Sequence, residues 1–439
     1  MNIRIGALAA GVSLLIAGCG GTHNSIMQSP SSGHGVNNHV VQNGKTPINW
    51  TQFNDPPSGY GTNYTAVVGS DKNLWFGNSS GGLLQVQMTG KTKLVALQYT
   101  CSGSSQCNFN TGYGSTVGKD HNFYFGGTNF DYNNNKYVIG IATTKGGLTV
   151  HDIPSGDYNG SGGLSLGPDG NVWYTEQSHF AKINTTGTIT EFSYPSGATS
   201  NSYGDTTTGP DGNVWFTEYN NNIIANINPT TKAIKEFSLA SQSLSCNPSS
   251  IINGGDGNLY FVCNSQYIGQ ITTAGVAKVW YDAFQVSYFP QALQVGPDKN
   301  IWFANGSGTY ISEFNPVSIA FTTYVPPYAT GTVYQIVLGP DHNFWSAESD
   351  NKTDVYIPSP LTVSPSSINF GGTGQTQNLT VTEPGTSSWT AKSTSPGVCS
   401  VAAGNKANIF VVTSVGAGTT KITIADAIGN SFLVPCKVT

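Results

Sequence analysis

The sequence predicts an all-β protein, a seven-bladed β-propeller followed by a small β-sandwich domain. One short phrase that begins with Asp recurs seven times in the 439 residues, with intervals of 49, 49, 42, 45, 42 and 43 residues between the aspartates. A period of about 45 residues that contains several strand patterns is typical of propeller blades. After residue 358 the period ends. Short alternating runs separated by Gly, Pro, Ser and Asn then predict an antiparallel sandwich.

The recurring phrase predicts a turn. Each copy has Asp, one variable residue, Asn, an apolar residue and Trp or Tyr, and the copies begin at Asp71, Asp120, Asp169, Asp211, Asp256, Asp298 and Asp341. Asp and Gly favour tight turns, so we interpret the Asp as shaping the turn between the first and second strands of each blade. The aromatic residue is interpreted as packing between blades. The alternative is that the aspartates are metal ligands.

The third unit illustrates the predicted blade. Residues 163–166 form a short apolar strand, and a Gly-Pro-Asp-Gly-Asn turn leads to an aromatic, β-branched strand at 172–175. Residues 181–184 and 188–194 supply the third and fourth strands. The seventh unit lacks a fourth strand, whereas residues 48–53 form a spare strand before the first unit. We therefore predict that the N-terminal strand completes the last blade and covers its edge.

The N-terminus predicts export. Arg4 precedes an apolar stretch that ends in Ala17-Gly18-Cys19, which is too short to span a membrane and fits a cleavable signal. The end of this stretch also resembles the bacterial lipobox, in which the Cys is lipidated. We predict a signal peptide over 1–19, a flexible tether over 20–45, the propeller over 46–358 and the sandwich over 359–439. His23, His34 and His39 lie in the predicted tether and are interpreted as solvated.

The cysteine count supports export. Six cysteines remain beside Cys19, and an even number in an exported protein suggests disulfides. The short loop 101–107 predicts one pair, and the C-terminal segment a second. Cys246 lies just before the first strand of the fifth blade, and Cys263 ends the second strand of that blade. Both residues should therefore lie at the same end of the blade, which predicts the third pair. The predicted disulfides are Cys101–Cys107, Cys246–Cys263 and Cys399–Cys436.

Composition excludes one class of partner. The formal net charge is −5 and charged residues make up 9% of the chain. Lys and Arg form no cluster, whereas nucleic-acid binding needs a basic surface. We therefore expect no nucleic-acid partner. We also expect a monomer that reaches a membrane through lipidated Cys19 and lies in the cell envelope, outside the cytoplasm.

A longer phrase carries a family resemblance. Gly209-Pro-Asp-Gly-Asn-Val-Trp-Phe-Thr-Glu218, nearly repeated at 167–176, resembles virginiamycin B lyase and related streptogramin lyases. The resemblance covers roughly residues 46–358, and the C-terminal segment resembles bacterial immunoglobulin-like domains. The family implies a seven-bladed propeller that linearises cyclic streptogramin antibiotics by lyase chemistry with a divalent metal. Its reacting histidines stand where the innermost strands begin.

The equivalent positions in this chain lack histidine. Seven residues before each repeat Asp stand Tyr64, Tyr113, Gly162, Gly204, Ser249, Gln291 and Tyr334. His121 and His342 lie in the Asp turns at the other end of the first strand, His151 begins an outer strand, and His179 lies in a loop between second and third strands. The general base that this chemistry needs is therefore not at the expected place.

The candidate site lies at the propeller mouth, which we define as the end where first strands begin and second strands end. Aromatic side chains there suit sugars or planar ligands, although they also suit plugging of the channel. The candidate ligand-binding residues are Tyr64, Tyr113, Tyr203, Ser249, Gln291, Tyr334, Glu176 and Glu218.

Two functions remain open. We expect a lipoprotein that binds a glycan, a planar small molecule or a protein without catalysis or a cofactor. The alternative is a streptogramin lyase that uses Mg²⁺, with Glu176 and Glu218 of adjacent blades as paired carboxylates. These two side chains are otherwise interpreted as solvated residues at strand ends.

Overall fold

The structure is a computed structural model. It describes residues 38–43, 50–54, 63–78, 82–97, 107–131, 134–156, 162–195, 204–281, 292–305, 310–325, 332–348, 352–356, 362–382, 389–426 and 431–439. These residues form 37 strands and two three-residue 3₁₀ helices. Within these ranges no helix has the length and apolar character needed to cross a membrane. The all-β prediction is confirmed.

Two strands precede the repeats, and each of the first three repeats forms a four-stranded sheet, here called blades one to three. The leading strands are β1 (Asn38–Asn43) and β2 (Trp50–Asn54). Blade one comprises β3 (Asn63–Val68), β4 (Leu74–Asn78), β5 (Gly82–Val86) and β6 (Thr92–Ala96). Blade two comprises β7 (Cys107–Val117), β8 (Phe123–Asp131), β9 (Asn134–Ala142) and β10 (Leu148–Asp152). Blade three comprises β11 (Leu164–Leu166), β12 (Val172–Thr175), β13 (His179–Ile183) and β14 (Ile189–Ser193).

The next four repeats form blades four to seven. Blade four comprises β15 (Thr206–Thr208), β16 (Val214–Glu218), β17 (Ile223–Ile227) and β18 (Ile234–Ser238), with 3₁₀ helices at Tyr219–Asn221 and Ala240–Gln242. Blade five comprises β19 (Pro248–Asn253), β20 (Asn258–Cys263), β21 (Tyr267–Thr272) and β22 (Ala277–Tyr281). Blade six comprises β23 (Leu293–Val295), β24 (Ile301–Ala304), β25 (Ile311–Asn315) and β26 (Ala320–Val325). Blade seven begins with β27 (Val333–Leu338), β28 (Phe344–Glu348) and β29 (Lys352–Tyr356).

The blades form a closed ring. Within the described ranges seven sheets precede residue 357, and within each of them consecutive strands of a repeat pair antiparallel. The first strand of each blade contacts the first strand of the next, and β27 contacts β3, so the cycle returns to its start. Strand β2 pairs antiparallel with β29, Trp50 opposite Tyr356, and thereby supplies the fourth strand of blade seven. The predicted closure by the N-terminal strand is confirmed.

The predicted tether is wrong at residues 38–43. These residues form β1, which pairs parallel with β26 and adds a fifth strand to blade six, so that His39 lies opposite Phe321. The segment contains the consecutive β-branched residues Val40 and Val41, which favour strands. Pairing with β1 covers the outer edge of β26, as a sheet edge requires. Because Gly, Ser and Asn surround these residues, the composition indicated a linker and not a strand.

The recurring Asp shapes its turn as predicted. In blade three the Asp169 carboxylate accepts hydrogen bonds from the backbone N–H of Asn171 at 3.2 Å and from the indole of Trp173 at 3.0 Å. The Asn171 side chain donates to the same carboxylate at 2.8 Å. Equivalent bonds occur in all seven blades, with Tyr replacing Trp in blades two and five. The carboxylate therefore satisfies turn donors that are close in sequence, which explains the constant spacing of the phrase.

The recurring aromatic residues fill the spaces between blades. Trp75 of blade one packs against Phe123 of blade two, with ring centroids 4.9 Å apart. Trp302 of blade six packs in the same way against Phe344 of blade seven at 5.1 Å. Trp345 of blade seven shares a buried cluster with blade one, which joins the last repeat to the first. The prediction of packing between blades is confirmed.

The C-terminal residues form two facing sheets. Their strands are β30 (Thr362–Ser364), β31 (Ile368–Phe370), β32 (Thr376–Thr382), β33 (Trp389–Ser393), β34 (Cys399–Ala403), β35 (Ile409–Ser414), β36 (Gly418–Asp426) and β37 (Ser431–Val438). The sheet orders are β30-β32-β35-β34 and β31-β37-β36-β33. Both sheets contribute to one apolar core, which includes Leu379, Val412 and Ile424. The two-sheet sandwich is as predicted, except that β31 pairs parallel and not antiparallel with β37.

Candidate functional site

The strand directions place the mouth. First strands run from the mouth to the Asp turns, so the Asp turns and the turns between third and fourth strands share the opposite end, here called the turn face. A polar cavity of about 270 Å³ lies along the ring axis, lined by first strands of all seven blades. Its polar lining residues include Ser115, Ser165, Asp205, Thr206, Gln294 and Gln335.

Asp205 is the buried carboxyl group of this channel, and the sequence analysis missed it. Its side chain is 1% exposed. One oxygen accepts the backbone N–H of Thr206 at 2.8 Å, and the other accepts the N–H of Ile251 in blade five at 3.1 Å. A Cβ on Gly163 of blade three would lie 1.5 Å from the carboxylate. Asp205 therefore connects three blades, and the absent side chain of Gly163 leaves room for it.

Further side chains bond across neighbouring blades near the axis. The Gln335 side chain of blade seven accepts the N–H of Ala66 in blade one at 2.6 Å. The hydroxyls of Thr65 and Ser115 join blades one and two at 2.5 Å. Ser165 and Thr206 join blades three and four at 2.9 Å. The channel wall is thus held by buried polar contacts, which are costly to break once they are desolvated.

One sequence signal could have found Asp205 and Gln335. Both stand six residues before the repeat Asp, where the other five blades carry Thr, Gly, Gly, Ser and Ala. A large polar residue among small ones at a buried position indicates a specific bond, because an unpaired polar group there would be destabilising.

Three candidate tyrosines lie at irregularities in the pairing between first and second strands. The pairing of β3 with β4 is irregular between Asn63 and Thr65, so Tyr64 lies in a β-bulge. Tyr334 lies in the matching bulge between Val333 and Gln335, and Tyr113 lies in the longer irregularity between Thr111 and Ser115. The three belong to blades seven, one and two, which are consecutive in the ring. Bulges redirect side chains and are frequent beside functional sites.

The candidate glutamates are not exposed at the mouth. Glu176 is 2% and Glu218 0% exposed, so the interpretation as solvated strand-end carboxylates is wrong. The hydroxyl of Tyr194 donates to the backbone carbonyl of Glu176 at 3.1 Å, which covers this strand end. Strand β16, which ends at Glu218, packs against β19 of blade five. Burial, with the nearby Glu176 carboxylate, raises the pKa of Tyr174 well above its usual range.

The remaining candidates are buried or lie outside the described residues. Ser249 is buried at the start of β19, so it does not present a hydroxyl to solvent. Tyr203 and Gln291 fall outside the described ranges, as does Cys101 of the predicted Cys101–Cys107 pair. The other two predicted disulfides are present, and Cys246–Cys263 lies at the mouth end of blade five.

The histidines of the propeller lie away from the axis. His121 and His342 lie in the Asp turns, as expected, and both have positive φ. His151 lies within the outer strand β10, where burial holds its pKa below the usual value against the opposing effect of nearby Asp152. His179 is the first residue of β13 and not part of the preceding loop. It lies at the mouth end but two strands away from the channel, and its ring nitrogen is 3.1 Å from the hydroxyl of Ser178.

The described residues do not fit a divalent metal. They contain no group of three His, Cys, Asp or Glu side chains arranged to hold an ion. Asp205 is the only acidic residue among the described residues that line the channel, and its carboxylate already accepts two backbone N–H groups. Mg²⁺ needs several oxygen ligands in octahedral geometry. We therefore derive no catalytic step through a metal.

Comparison with known proteins identifies the family. Residues 51–355 match the sequence profile of the Virginiamycin B lyase family. The chain belongs to this family. No curated protein matches this chain.

Solved structures share the fold of this Virginiamycin B lyase family member. A streptogramin B lyase is 23% identical with a TM-score of 0.58, and the match covers 70% of this chain and 97% of that one. A catalytically inactive histidine-to-alanine variant of virginiamycin B lyase from Staphylococcus aureus, solved with quinupristin, is 22% identical with a TM-score of 0.58, covering 71% and 99%. The WD40 β-propeller domain of Doa1 is 12% identical with a TM-score of 0.53, covering 71% and 97%. At these identities the likeness shows the fold alone.

Proposed function

We propose that this member of the lyase family is an exported, lipid-anchored protein that binds a ligand at the propeller mouth and does not open streptogramin rings. The observation that carries the proposal is the absence of histidine at all seven positions where innermost strands begin. Proton abstraction needs a base within hydrogen-bond reach of the substrate, with a pKa near the working pH. Tyrosine meets that condition only after a large fall in its pKa, and Gly, Ser and Gln do not meet it.

The mouth supports binding. Tyr64 and Tyr334 lie in matching bulges and Tyr113 lies in a longer irregularity, and the three tyrosines belong to consecutive blades. Aromatic rings provide flat apolar surfaces with a polar hydroxyl, which suit a glycan or a planar small molecule, and also a protein side chain. The buried polar contacts below them stiffen the channel wall, which favours a preformed site.

Export and anchoring rest on the N-terminus and the cysteines. The apolar stretch that ends at Cys19 predicts cleavage and lipidation at that residue. The disulfides Cys246–Cys263 and Cys399–Cys436 suit an oxidising compartment outside the cytoplasm. Together they support a place in the cell envelope, with the membrane reached through Cys19.

The lyase alternative has two observations in its favour, the family membership and the mouth-end position of His179. It is tested by incubating the protein with virginiamycin B and Mg²⁺ and following the linear product by mass spectrometry, with an active virginiamycin B lyase as positive control. We expect no linear product above the protein-free rate. Turnover that disappears in His179→Ala, Glu176→Gln or Glu218→Gln would overturn the binding proposal.

Binding is tested with a screen of glycans and peptidoglycan fragments. For a ligand found in this way, Tyr64→Ala, Tyr113→Ala and Tyr334→Ala should each weaken the Kd about tenfold, since a well-placed aromatic contact contributes about 1.5 kcal/mol. Tyr281→Ala is the matched control, because Tyr281 is an exposed tyrosine at the end of the outer strand β22. A Kd that changes equally in all four variants would place the ligand elsewhere.

A further inference from the structure

The turn between the third and fourth strands differs in blade six. In every described turn of this kind one residue has positive φ, a conformation that favours glycine. Four blades use glycine and one uses lysine, whereas blade six uses isoleucine. The residues are Gly90, Gly146, Gly187, Lys232, Gly275 and Ile319. A β-branched residue at a φ of 54° is a conformational outlier. Such strained residues are found mainly where the side chain has a function, for example in binding.

Blade four provides a direct comparison. In its turn the side-chain oxygen of Asn228 accepts the backbone N–H groups of Thr230 and Thr231 at 3.0 and 2.9 Å. In blade six Asn315 accepts those of Val317 and Ser318 at 2.9 Å in the same way. Both turns also have Pro after the Asn. The backbone is therefore the same, and the polar residues of blade four are replaced by Val317 and Ile319.

The apolar side chains of this turn project into solvent. Val317 is 92% and Ile319 41% exposed. Val276 of the corresponding turn in blade five is 56% exposed, so apolar residues continue onto the neighbouring blade. Lys299, at positive φ in the Asp turn of blade six, is exposed at the same end of that blade. Exposed apolar residues with a cation at the same end of the blade suit a surface that touches a bilayer, where apolar side chains enter the acyl region and cations meet anionic headgroups.

Strand β1 brings the N-terminal chain to the same place. Because β1 runs parallel to β26, its first residue, Asn38, lies opposite Ala320, the residue that follows Ile319. The 18 residues 20–37 separate Asn38 from Cys19. A chain of this length spans at most about 65 Å even when it is fully extended. Asn38 lies at the turn face, and the mouth is one five-residue strand, about 17 Å, farther along the blade.

We propose that the blade-six turn, residues 315–319, docks on the bilayer that holds the lipid of Cys19, so that the turn face lies on the membrane and the mouth faces away from it. The inference rests on the lipid anchor of the proposed function. Burial of Val317 and Ile319 among lipid acyl chains accounts for the retention of isoleucine at a position that disfavours it. It also leaves the proposed ligand site on the side that faces away from the bilayer.

The test uses the full, lipidated chain reconstituted in phosphatidylethanolamine–phosphatidylglycerol vesicles that contain doxyl-labelled lipid. A bimane probe is attached at Ser318→Cys or, as the matched control, at Thr231→Cys, the same position of the blade-four turn. We expect the probe at 318 to be quenched severalfold more strongly than the probe at 231. Adding Val317→Thr and Ile319→Lys, which copy the blade-four turn, should reduce quenching at 318 to the control level without lowering Tm.

Four outcomes would overturn the inference. Equal quenching of the two probes in lipidated protein refutes docking while leaving the anchor intact. Quenching at 318 that persists in the copied turn shows that Val317 and Ile319 are not the contact. A probe at 318 that is already shielded in detergent, together with a dimer in sedimentation, assigns the turn to a second copy of the chain. A mature chain without lipid, shown by mass spectrometry and detergent partitioning, refutes the anchor and the docking together but leaves the ligand site untouched.

Discussion

The Asp205 carboxylate of blade four accepts the backbone N–H of Ile251 in blade five at 3.1 Å, inside the channel wall. The same carboxylate holds the N–H of Thr206. Two blades are thus joined by a side chain that neither repeat phrase contains. The contact is buried, so replacing it leaves a donor without a partner.

Asp205→Asn should lower the free energy of unfolding by about 2 kcal/mol, because the amide nitrogen would face one of the two N–H groups and leave it unsatisfied. Urea unfolding measures the change. Asp152→Asn, at an exposed strand end, is the control and should change stability by less than about 0.5 kcal/mol. Equal effects of the two substitutions would contradict a structural role for the channel carboxylate.

A second prediction concerns Glu313 in blade six. Burial raises its pKa, with a further rise from nearby Asp298, against lowering by hydrogen bonds from Asn300 and Tyr324. A carboxyl group whose pKa is raised in the folded state stabilises the fold most at pH values below its unfolded pKa. This stabilisation is lost as the pH rises through the folded pKa. At the matching position of blade one, Gln85 donates to Asp71 at 2.9 Å. Glutamine therefore satisfies the repeat Asp better than glutamate at neutral pH.

Glu313→Gln should raise the free energy of unfolding by about 1 kcal/mol at pH 7, because a hydrogen bond to Asp298 replaces the repulsion between two carboxylates. The gain should shrink towards pH 4, where the wild-type carboxyl is protonated. The reciprocal change Gln85→Glu should destabilise the protein at pH 7 and recover towards pH 4. Denaturation curves at several pH values check both variants, and a gain that is independent of pH would argue against the carboxyl pair.

The disulfides give a third prediction. Cys246 and Cys263 are separated by 17 residues and Cys399 and Cys436 by 37. By the loop-entropy relation, Cys246→Ala with Cys263→Ala should cost about 3 kcal/mol, and Cys399→Ala with Cys436→Ala about 4 kcal/mol. Denaturant unfolding measures both losses. Non-reducing peptide mapping of the exported protein should recover Cys101 joined to Cys107, and alkylated Cys246 or Cys263 in that map would contradict the assignment.

Truncation tests the ring closure. Deleting residues 46–54 removes β2 and opens blade seven, so we expect a loss of several kcal/mol and a large fall in Tm, in line with the unpaired edge that it creates. Deleting 38–43 removes only the fifth strand of blade six and should cost less. Deleting 20–37 is the control and should leave Tm unchanged. Similar melting temperatures for the first and third variants would refute closure by the N-terminal strand.

The sequence by itself determined the repeat and its turns. Asp169, Asn171 and Trp173 lie within four residues of each other, so their hydrogen bonds depend on local backbone geometry that the phrase encodes directly. The closing strand was also predictable, because the count of strands left blade seven one short. The disulfide Cys246–Cys263 followed from the positions of two strand ends within one blade.

Only the tertiary structure decided which polar side chains are buried and what they bond. The partner of Asp205 lies 46 residues away in the next blade, and no local pattern specifies it. Glu176 and Glu218 stand at strand ends that look exposed in sequence, yet neighbouring strands and turns cover them. The pairing of β1 likewise depends on β26, a strand about 280 residues later in the chain that is its neighbour only in the folded ring. Local hydrogen bonds repeat with the sequence, whereas burial is set by residues from other repeats that pack on top.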